Sequence, residues 1–440
     1  MPDPPPQEWL DELFEFLRIP SVSADPAHAV DVVRAGEWVR DFVRAAGGEA
    51  ELVATPEPAP LVIGEIPASG GGDAPTVLVY GHFDVQPPDP LEQWNSPPFE
   101  PTIRGDRIYA RGISDDKGNL YLLLKAAATL AAEGALPVNV RIACDGEEET
   151  GGHSIVDWVA GDGRGADACI IFDAGMPEVD VPAFYIGTRG LVYFHVKVRT
   201  GERDLHSGVF GGAALNAMHA LIQTLAPVMA EPDELRSGIA APTDEERASW
   251  AAIVSGQAAL DEQGATPKDD RAAEEFYERT LARSAVDVHG LAGGSPMLQK
   301  TVIPVEAEAN VSIRLAPVQD VEEIALAMER LMRDAAPLGA EVEIERWSSA
   351  PAGLVSADAP AVKLAQDAFE RVLGPRPLLL RSGGTLPIVP ALADKGIPTI
   401  LSGFDLPDGN VHSPNEGMLV RYIPLGVEAA RELLIELAKL

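Results

Sequence analysis

Short apolar runs of a strand's length recur down this chain, separated by segments with helical spacing, and several of the runs stop on a histidine or an acid. "LVIGEI" from Leu61, "TVLVYG" from Thr76, "VNVRIACDG" from Val138 and "DACIIFDAG" from Asp167 are such runs. Between them, "EWLDELFEFLRI", "AVDVVRAGEWVRDFVRAAGG" and "GNLYLLLKAAATLAAEG" repeat apolar residues three and four apart, the mark of amphipathic or buried helices. Strands alternating with helices specify an α/β layer architecture. From Arg189 the pattern changes. "GLVYFHVKVRT" is a long strand with one apolar side, "GAALNAMHALIQTLAP" is helical, and "EAEANVSIRLAP", "DVEEIALAMERLMRDAA" and "AEVEIERW" read as strand, helix and strand. The polar stretch of residues 230–290 reads as uncertain helices. Beyond residue 351 the first style resumes, with strands at "LLLRSGG" and "IPTILSG" and a C-terminal helix. The simplest organisation is one α/β domain, residues 1–188 and 351–440, interrupted by a second domain with its own sheet, residues 189–350.

The chain's 440 residues carry a formal net charge of −34. That charge repels nucleic acid and anionic membranes. No apolar run approaches the roughly 18 residues of a membrane span, and "MPDPPPQEWL" lacks the basic and apolar regions of a signal peptide. The two cysteines, Cys144 and Cys169, lie in apolar runs and read as buried thiols of a reducing, cytoplasmic compartment.

Five groups of candidate chemical residues follow strand-like runs or sit in glycine-rich loops. They are His82 with Asp84, Asp115 with Asp116 in "GISDDKGN", Glu147 to Glu149 in "CDGEEETGG", Asp173 in "IFDAG", and His412 in "DGNVHSPNE". Loops at the carboxyl ends of strands form the site in open α/β sheets, so residues far apart in sequence meet there. Taken singly each has a plain use. A strand-end histidine is commonly an ordinary hydrogen-bonded residue, Asp115 or Asp116 suits a helix cap, and three glutamates suit a solvated loop. Together they point to bound metal, because adjacent carboxylates repel unless a cation or a proton neutralises them. Two histidines with several carboxylates suit two divalent ions: zinc, or manganese or cobalt. One bridging carboxylate holds such ions about 3.5 Å apart in two-metal hydrolases.

"GHFDVQP", "YARGISDDKG", "EEETGG", "DLHSGVFGG", "TVIP", "SIRLAP", "RSGGTLP" and "HSPNE", in this order over nearly the whole chain, resemble the dinuclear zinc peptidase family. It takes in carnosinase-like cytosolic dipeptidases, carboxypeptidase G, aminoacylase and succinyl-diaminopimelate desuccinylase, and the match leans toward the dipeptidases. The resemblance implies a catalytic domain with a mixed central sheet flanked by helices, and an inserted α+β lid and dimerisation domain. It implies that His82 and Asp173 hold one metal, Glu149 and His412 the other, and Asp115 both, with a cis peptide to Asp116. Asp84 would orient His82 through its other ring nitrogen. Glu148 would be the general base, the register of the triplet being set by Gly151. His206 would stabilise the oxyanion, often from the partner subunit, so a homodimer through the inserted domain is implied.

For substrate, Arg314 is the candidate to grip a free carboxylate, though a surface arginine paired with an acid reads the same way. Thr301, Ser382, Gly383, Gly384 and Thr385 are candidates to bind that carboxylate or the peptide backbone. The dipeptidase branch carries a further histidine where this chain has "RWSSAPAGLVSADAP", which argues against carnosine-like specificity. His28, His153, His195, His219 and His289 read as structural, without acidic neighbours. The expected activity is metal-dependent hydrolysis of an amide beside a free carboxylate, as a dipeptidase or short-peptide carboxypeptidase. An N-acyl-amino-acid deacylase would use the same residues. A catalytically dead binding protein on this fold is disfavoured, since every candidate ligand and the base are present.

Overall fold

The computed structural model describes residues 4–440. The first three residues, which open both the expected first domain and the stretch expected to lack a signal sequence, lie outside the described residues. The chain forms two compact units. One comprises the residues up to Ile186 with Val355–Leu380 and Pro387–Leu440, and the other Gly187–Leu354 with Arg381–Leu386. Arg381–Leu386 folds with the second unit although the segments on either side of it belong to the first.

The first unit is a mixed α/β fold built on a six-stranded sheet. Its order is Glu49–Val53, Leu61–Ile66, Asn139–Asp145, Thr76–His82, Ala168–Phe172 and Thr399–Ser402. The first three strands pair antiparallel and the last four parallel. The parallel strands are almost wholly buried. A parallel strand covered on both faces needs apolar residues in succession rather than in alternation, which is why these segments read as unbroken runs. Helix Lys117–Ala132 packs beneath Thr76–His82 and against Tyr422–Leu437, which in turn meets Pro360–Leu373. Because Asn139–Asp145, Thr76–His82, Ala168–Phe172 and Thr399–Ser402 run in one direction, their carboxyl ends share one edge of the sheet. The loops that follow carry Glu147–Glu149, Asp84, Asp173 and His412.

The second unit contains a four-stranded antiparallel sheet ordered Ala285–Ala292, Glu306–Leu315, Gly190–Arg199 and Glu341–Ala350. Val192, Phe194, Val196 and Val198 bury one face against helices Ala217–Met229 and Val321–Ala335. On the other face Tyr193, His195, His289 and Trp347 stack ring on ring. The polar stretch read as uncertain helices holds two short α-helices, Asp244–Ala251 and Gly256–Glu262, a 3-10 turn at Asp233–Arg236 and a π-helical turn at Glu278–Ala282, and runs into the strand Ala285–Ala292, which the sequence did not lead one to expect. Among the described residues no helix is long and apolar enough to cross a membrane.

Candidate metal centre

His82 ends its strand, and its position is fixed from three sides. Its amide donates to Asp116 Oδ2 at 3.0 Å. A Cβ on the preceding Gly81 would fall 2.6 Å from that same oxygen, so the approach requires glycine. Its Nδ1 lies 3.2 Å from the Asp84 carbonyl oxygen and 3.4 Å from Asp84 Oδ1. The orienting contact expected from the Asp84 carboxylate is thus shared with the backbone of the same residue. The other carboxylate oxygen, Oδ2, accepts from the Glu149 amide at 3.1 Å, so Asp84 braces both the imidazole and the loop bearing the glutamates.

The imidazole's free edge faces the acids. Nε2 of His82 is 2.9 Å from Asp115 Oδ1, 3.9 Å from Asp173 Oδ1 and 4.0 Å from Glu148 Oε2. His412, on a loop where its φ is +61°, brings Nε2 to 2.8 Å from Asp115 Oδ2 and 3.2 Å from Glu149 Oε2. Asp115 therefore turns one oxygen to each imidazole. Two donor triads result, His82–Asp115–Asp173 and Asp115–Glu149–His412, each with its donor atoms within 4.8 Å of one another. The peptide from Asp115 to Asp116 is cis. Asp116 stands at the N-cap of helix Lys117–Ala132 but makes no side-chain capping bond there.

The electrostatics show how strongly these acids resist being charged together. Burial raises Glu148 to about 9, reinforced by Asp173, Glu149 and Asp115 and opposed by His82. Burial likewise holds Asp173 well above the usual carboxylate range. Burial also works against a charged Asp115, but hydrogen bonds from His412 and His82 outweigh it and lower that group. His412 rises to about 10 through its bonds to Asp115 and Glu149. For His82, burial opposes the charged form, and Asp115 and Asp84 more than reverse it, so the imidazole is raised as well. Acids packed and buried this closely call for a proton or a cation to neutralise them. Glu149 Oε1 is buried without a hydrogen-bond partner, and Asp84 Oδ1 has only the 3.4 Å contact to His82 Nδ1. Mixed imidazole and carboxylate donors in this density fit a pair of divalent ions.

Gln86 was not singled out in the sequence, yet its Nε2 donates to Glu149 Oε2 at 2.8 Å and so aims that carboxylate. Glu147 turns away from the cluster and accepts from the Ser154 amide at 2.7 Å.

The remaining candidates belong to the second unit. His206 lies in a two-residue ribbon paired with Val302–Ile303. It is exposed, and its Nδ1 accepts from the Gly208 amide at 3.0 Å. The Thr301 carbonyl accepts from the Ser207 amide at 3.0 Å. Arg314 Nη1 donates to Thr385 Oγ1 at 3.1 Å and pairs with no acid among the described residues, and that hydroxyl donates to the Arg189 carbonyl at 2.7 Å. Ser382 Oγ accepts from the Gly384 amide at 3.0 Å, and the Gly384 carbonyl from the Arg189 amide at 3.0 Å. The hydroxyls of Ser382 and Thr385 are thus partly spent on shaping their own loop around Gly383. Two of the five other histidines do have acidic neighbours, contrary to expectation: His28 sits 3.0 Å from Asp31 and His195 3.5 Å from Glu308. His28 and Asp31 are three residues apart where a turn runs into helix Ala29–Ala45, a spacing at which side chains meet, whereas His195 and Glu308 meet across paired strands, which their separation in sequence did not advertise.

The family model of peptidase family M20/M25/M40 matches residues 78–436. The chain is 29% identical over 437 residues to a cysteinylglycine-S-conjugate dipeptidase of Corynebacterium striatum, covering 92% of this chain and 90% of that one. It is 27% identical to the human beta-Ala-His dipeptidase over 387 residues, covering 81% and 73%. Its fold superposes on a metallo-carboxypeptidase of Sulfolobus solfataricus with a TM-score of 0.83 and 26% identity, covering 98% of this chain and 100% of that one.

Proposed function

The chain belongs to peptidase family M20/M25/M40, and from that premise we propose that it is a dinuclear metallo-dipeptidase acting on small peptides with a free carboxylate. The observation that carries the proposal is Asp115, whose two carboxylate oxygens face two different imidazoles at 2.9 and 2.8 Å. His82, Asp115 and Asp173 would hold one ion and Asp115, Glu149 and His412 the other, with zinc the best match to the donors and manganese or cobalt compatible. When bound, such ions lower the pKa of a water toward about 7 and polarise a carbonyl.

Glu148, whose carboxyl the adjoining cations would hold ionised, would serve as the base. Its Oε2 lies 4.0 Å from His82 Nε2, and Glu148 belongs to neither donor triad. It would take a proton from the attacking water as the hydroxide oxygen bonds to the carbonyl carbon. It would then return that proton to the departing amine nitrogen as the C–N bond breaks. Asp84 would keep His82 in one ring orientation throughout. His206 would donate to the oxyanion from the partner subunit of a homodimer. Arg314, oriented by Thr385, would hold the substrate carboxylate, with Thr301, Ser382, Gly383 and Gly384 nearer the peptide backbone. The dipeptidase names of the relatives support this substrate class. The absence of histidine from residues 346–360 argues against beta-Ala-His itself. The two cysteines, free and buried, accord with a cytoplasmic setting.

The test is a hydrolysis panel with the zinc-loaded protein. Dipeptides with a free C-terminus should be cleaved with a kcat/KM at least about tenfold above that for their C-terminal amides, the ratio expected from about 1.4 kcal/mol of carboxylate recognition, and faster than N-acyl amino acids, which share that carboxylate but lack the free amine. Faster cleavage of N-acyl amino acids, or no hydrolysis at all, would overturn the reading.

A further inference from the structure

Between the cluster and the body of the first unit lies a fully buried ion pair, Arg111 Nη1 to Glu416 Oε2 at 2.7 Å, with the side chains 1% and 0% exposed. We propose that Glu416, paired with Arg111, is a positioning residue for the Asp115–Glu149–His412 triad, an inference that rests on reading that triad as a metal site. The Glu416 carboxylate takes four donors. Oε2 accepts from Arg111 Nη1 and from the Gly112 amide at 2.9 Å, and Oε1 accepts from the Ser114 amide at 2.8 Å and the Asp115 amide at 3.1 Å. The last of these is the backbone of the shared ligand itself. Arg111 Nη2 also donates to the Pro87 carbonyl at 3.2 Å, in the segment that brings Asp84 and Gln86. One buried pair therefore ties together the three segments carrying His82, Asp115 and His412.

The two triads depend on this clamp unequally. His82 and Asp173 leave the ends of Thr76–His82 and Ala168–Phe172, strands held by the sheet ladder. His412 has no such support. Its loop carries three residues in the left-handed region, Asn410, His412 and Asn415, at φ +55°, +61° and +64°. Such conformations persist only where the surroundings enforce them, and Glu416 anchors the loop four residues on. A buried ion pair contributes little net stability compared with an apolar replacement, so its use here accords with setting geometry. Glutamine at 416 keeps the shape but offers an NH2 group to one of the two donor pairs, so either Arg111 and Gly112 or Ser114 and Asp115 lose their acceptor.

The test is equilibrium titration of metal-free protein with cobalt(II) alone, comparing wild type with Glu416→Gln. Wild type should bind two ions. Because Asp115 serves both ions, Glu416→Gln should weaken both but the second at least tenfold more than the first, with the far-UV circular dichroism of the wild type. A purely structural role would weaken both ions alike or neither, and either result overturns the proposal. If Glu416→Gln fails to fold, Glu416→Asp, which keeps the charge, is titrated instead, and the same unequal loss is required of it. A wild-type chain that binds fewer than two ions removes the underlying metal reading, a failure distinct from that of the clamp.

Discussion

Glu148 and Glu149 are adjacent in sequence yet are held differently, in keeping with the different roles proposed for them. Glu149 is fixed by Gln86 at its side chain and by Asp84 at its amide, as the ligand role proposed for it requires. The Glu148 carboxylate has no such brace and is held by burial among other acids. Glu148→Gln is therefore expected to lower kcat by about 10²- to 10⁴-fold while leaving metal content, measured by elemental analysis, as in wild type. Loss of metal in that variant would make Glu148 a ligand. At this scale the sequence showed the grouping of histidines and acids, which singly had plain uses, and their separate roles came only as what the family resemblance implies. Gln86 and Glu416 stood inside the quoted motifs "GHFDVQP" and "HSPNE", but their partners lie 63 residues away for Gln86 and about 300 for Glu416. No spacing in the sequence indicates which amide or carboxylate such a side chain will meet.

At the scale of elements, burial decided what could be read. The central strands are covered on both faces and appear as continuous apolar runs, and Gly190–Arg199 is covered on one and alternates. Ala285–Ala292 was missed because it is an edge strand, with Val286 as its single buried residue and a bulge between Val288 and Gly290 that breaks the alternation. Helix Asp244–Ala251 was uncertain for a similar reason, having little apolar face. It is held by a capping box and by an ion pair from Glu246 to Arg381 Nε at 2.5 Å, with side chains 1% and 2% exposed. Burial works to raise the Glu246 carboxyl, but the bonds from Arg381 and the Thr243 amide prevail and set it below the ordinary glutamate value. A depressed folded pKa means that this contribution is complete above the unfolded value of about 4.3 and is lost as pH falls through the folded one. Glu246→Gln should cost about 3 kcal/mol near neutrality by leaving Arg381 without its counter-charge. Its thermal midpoint should then fall less steeply than that of wild type from about pH 6 to pH 3. Parallel slopes in scanning calorimetry would contradict this.

For the whole molecule, the change of style at Arg189 is a change from strands buried on both faces to strands buried on one. The inclusion of Arg381–Leu386 in the second unit left no trace in the sequence, since six residues carry no period. If the second unit lends His206 to a partner subunit, two inactive variants should complement each other. Mixing His206→Ala with Glu148→Gln chains, after subunit exchange verified by mass, should restore about a quarter of wild-type activity, because one site in four then has both residues intact when chains pair at random. No recovery would place His206 in service of its own chain. Beneath all of this stands the claim that one carboxylate, Asp115, is shared between two cations. Elemental analysis of the purified, metal-replete protein tests it most directly when wild type is set beside Asp115→Ala: two divalent ions per chain in the first and near none in the second are predicted, whereas a wild-type chain with one ion or none, or an Asp115→Ala chain that keeps both, would contradict it.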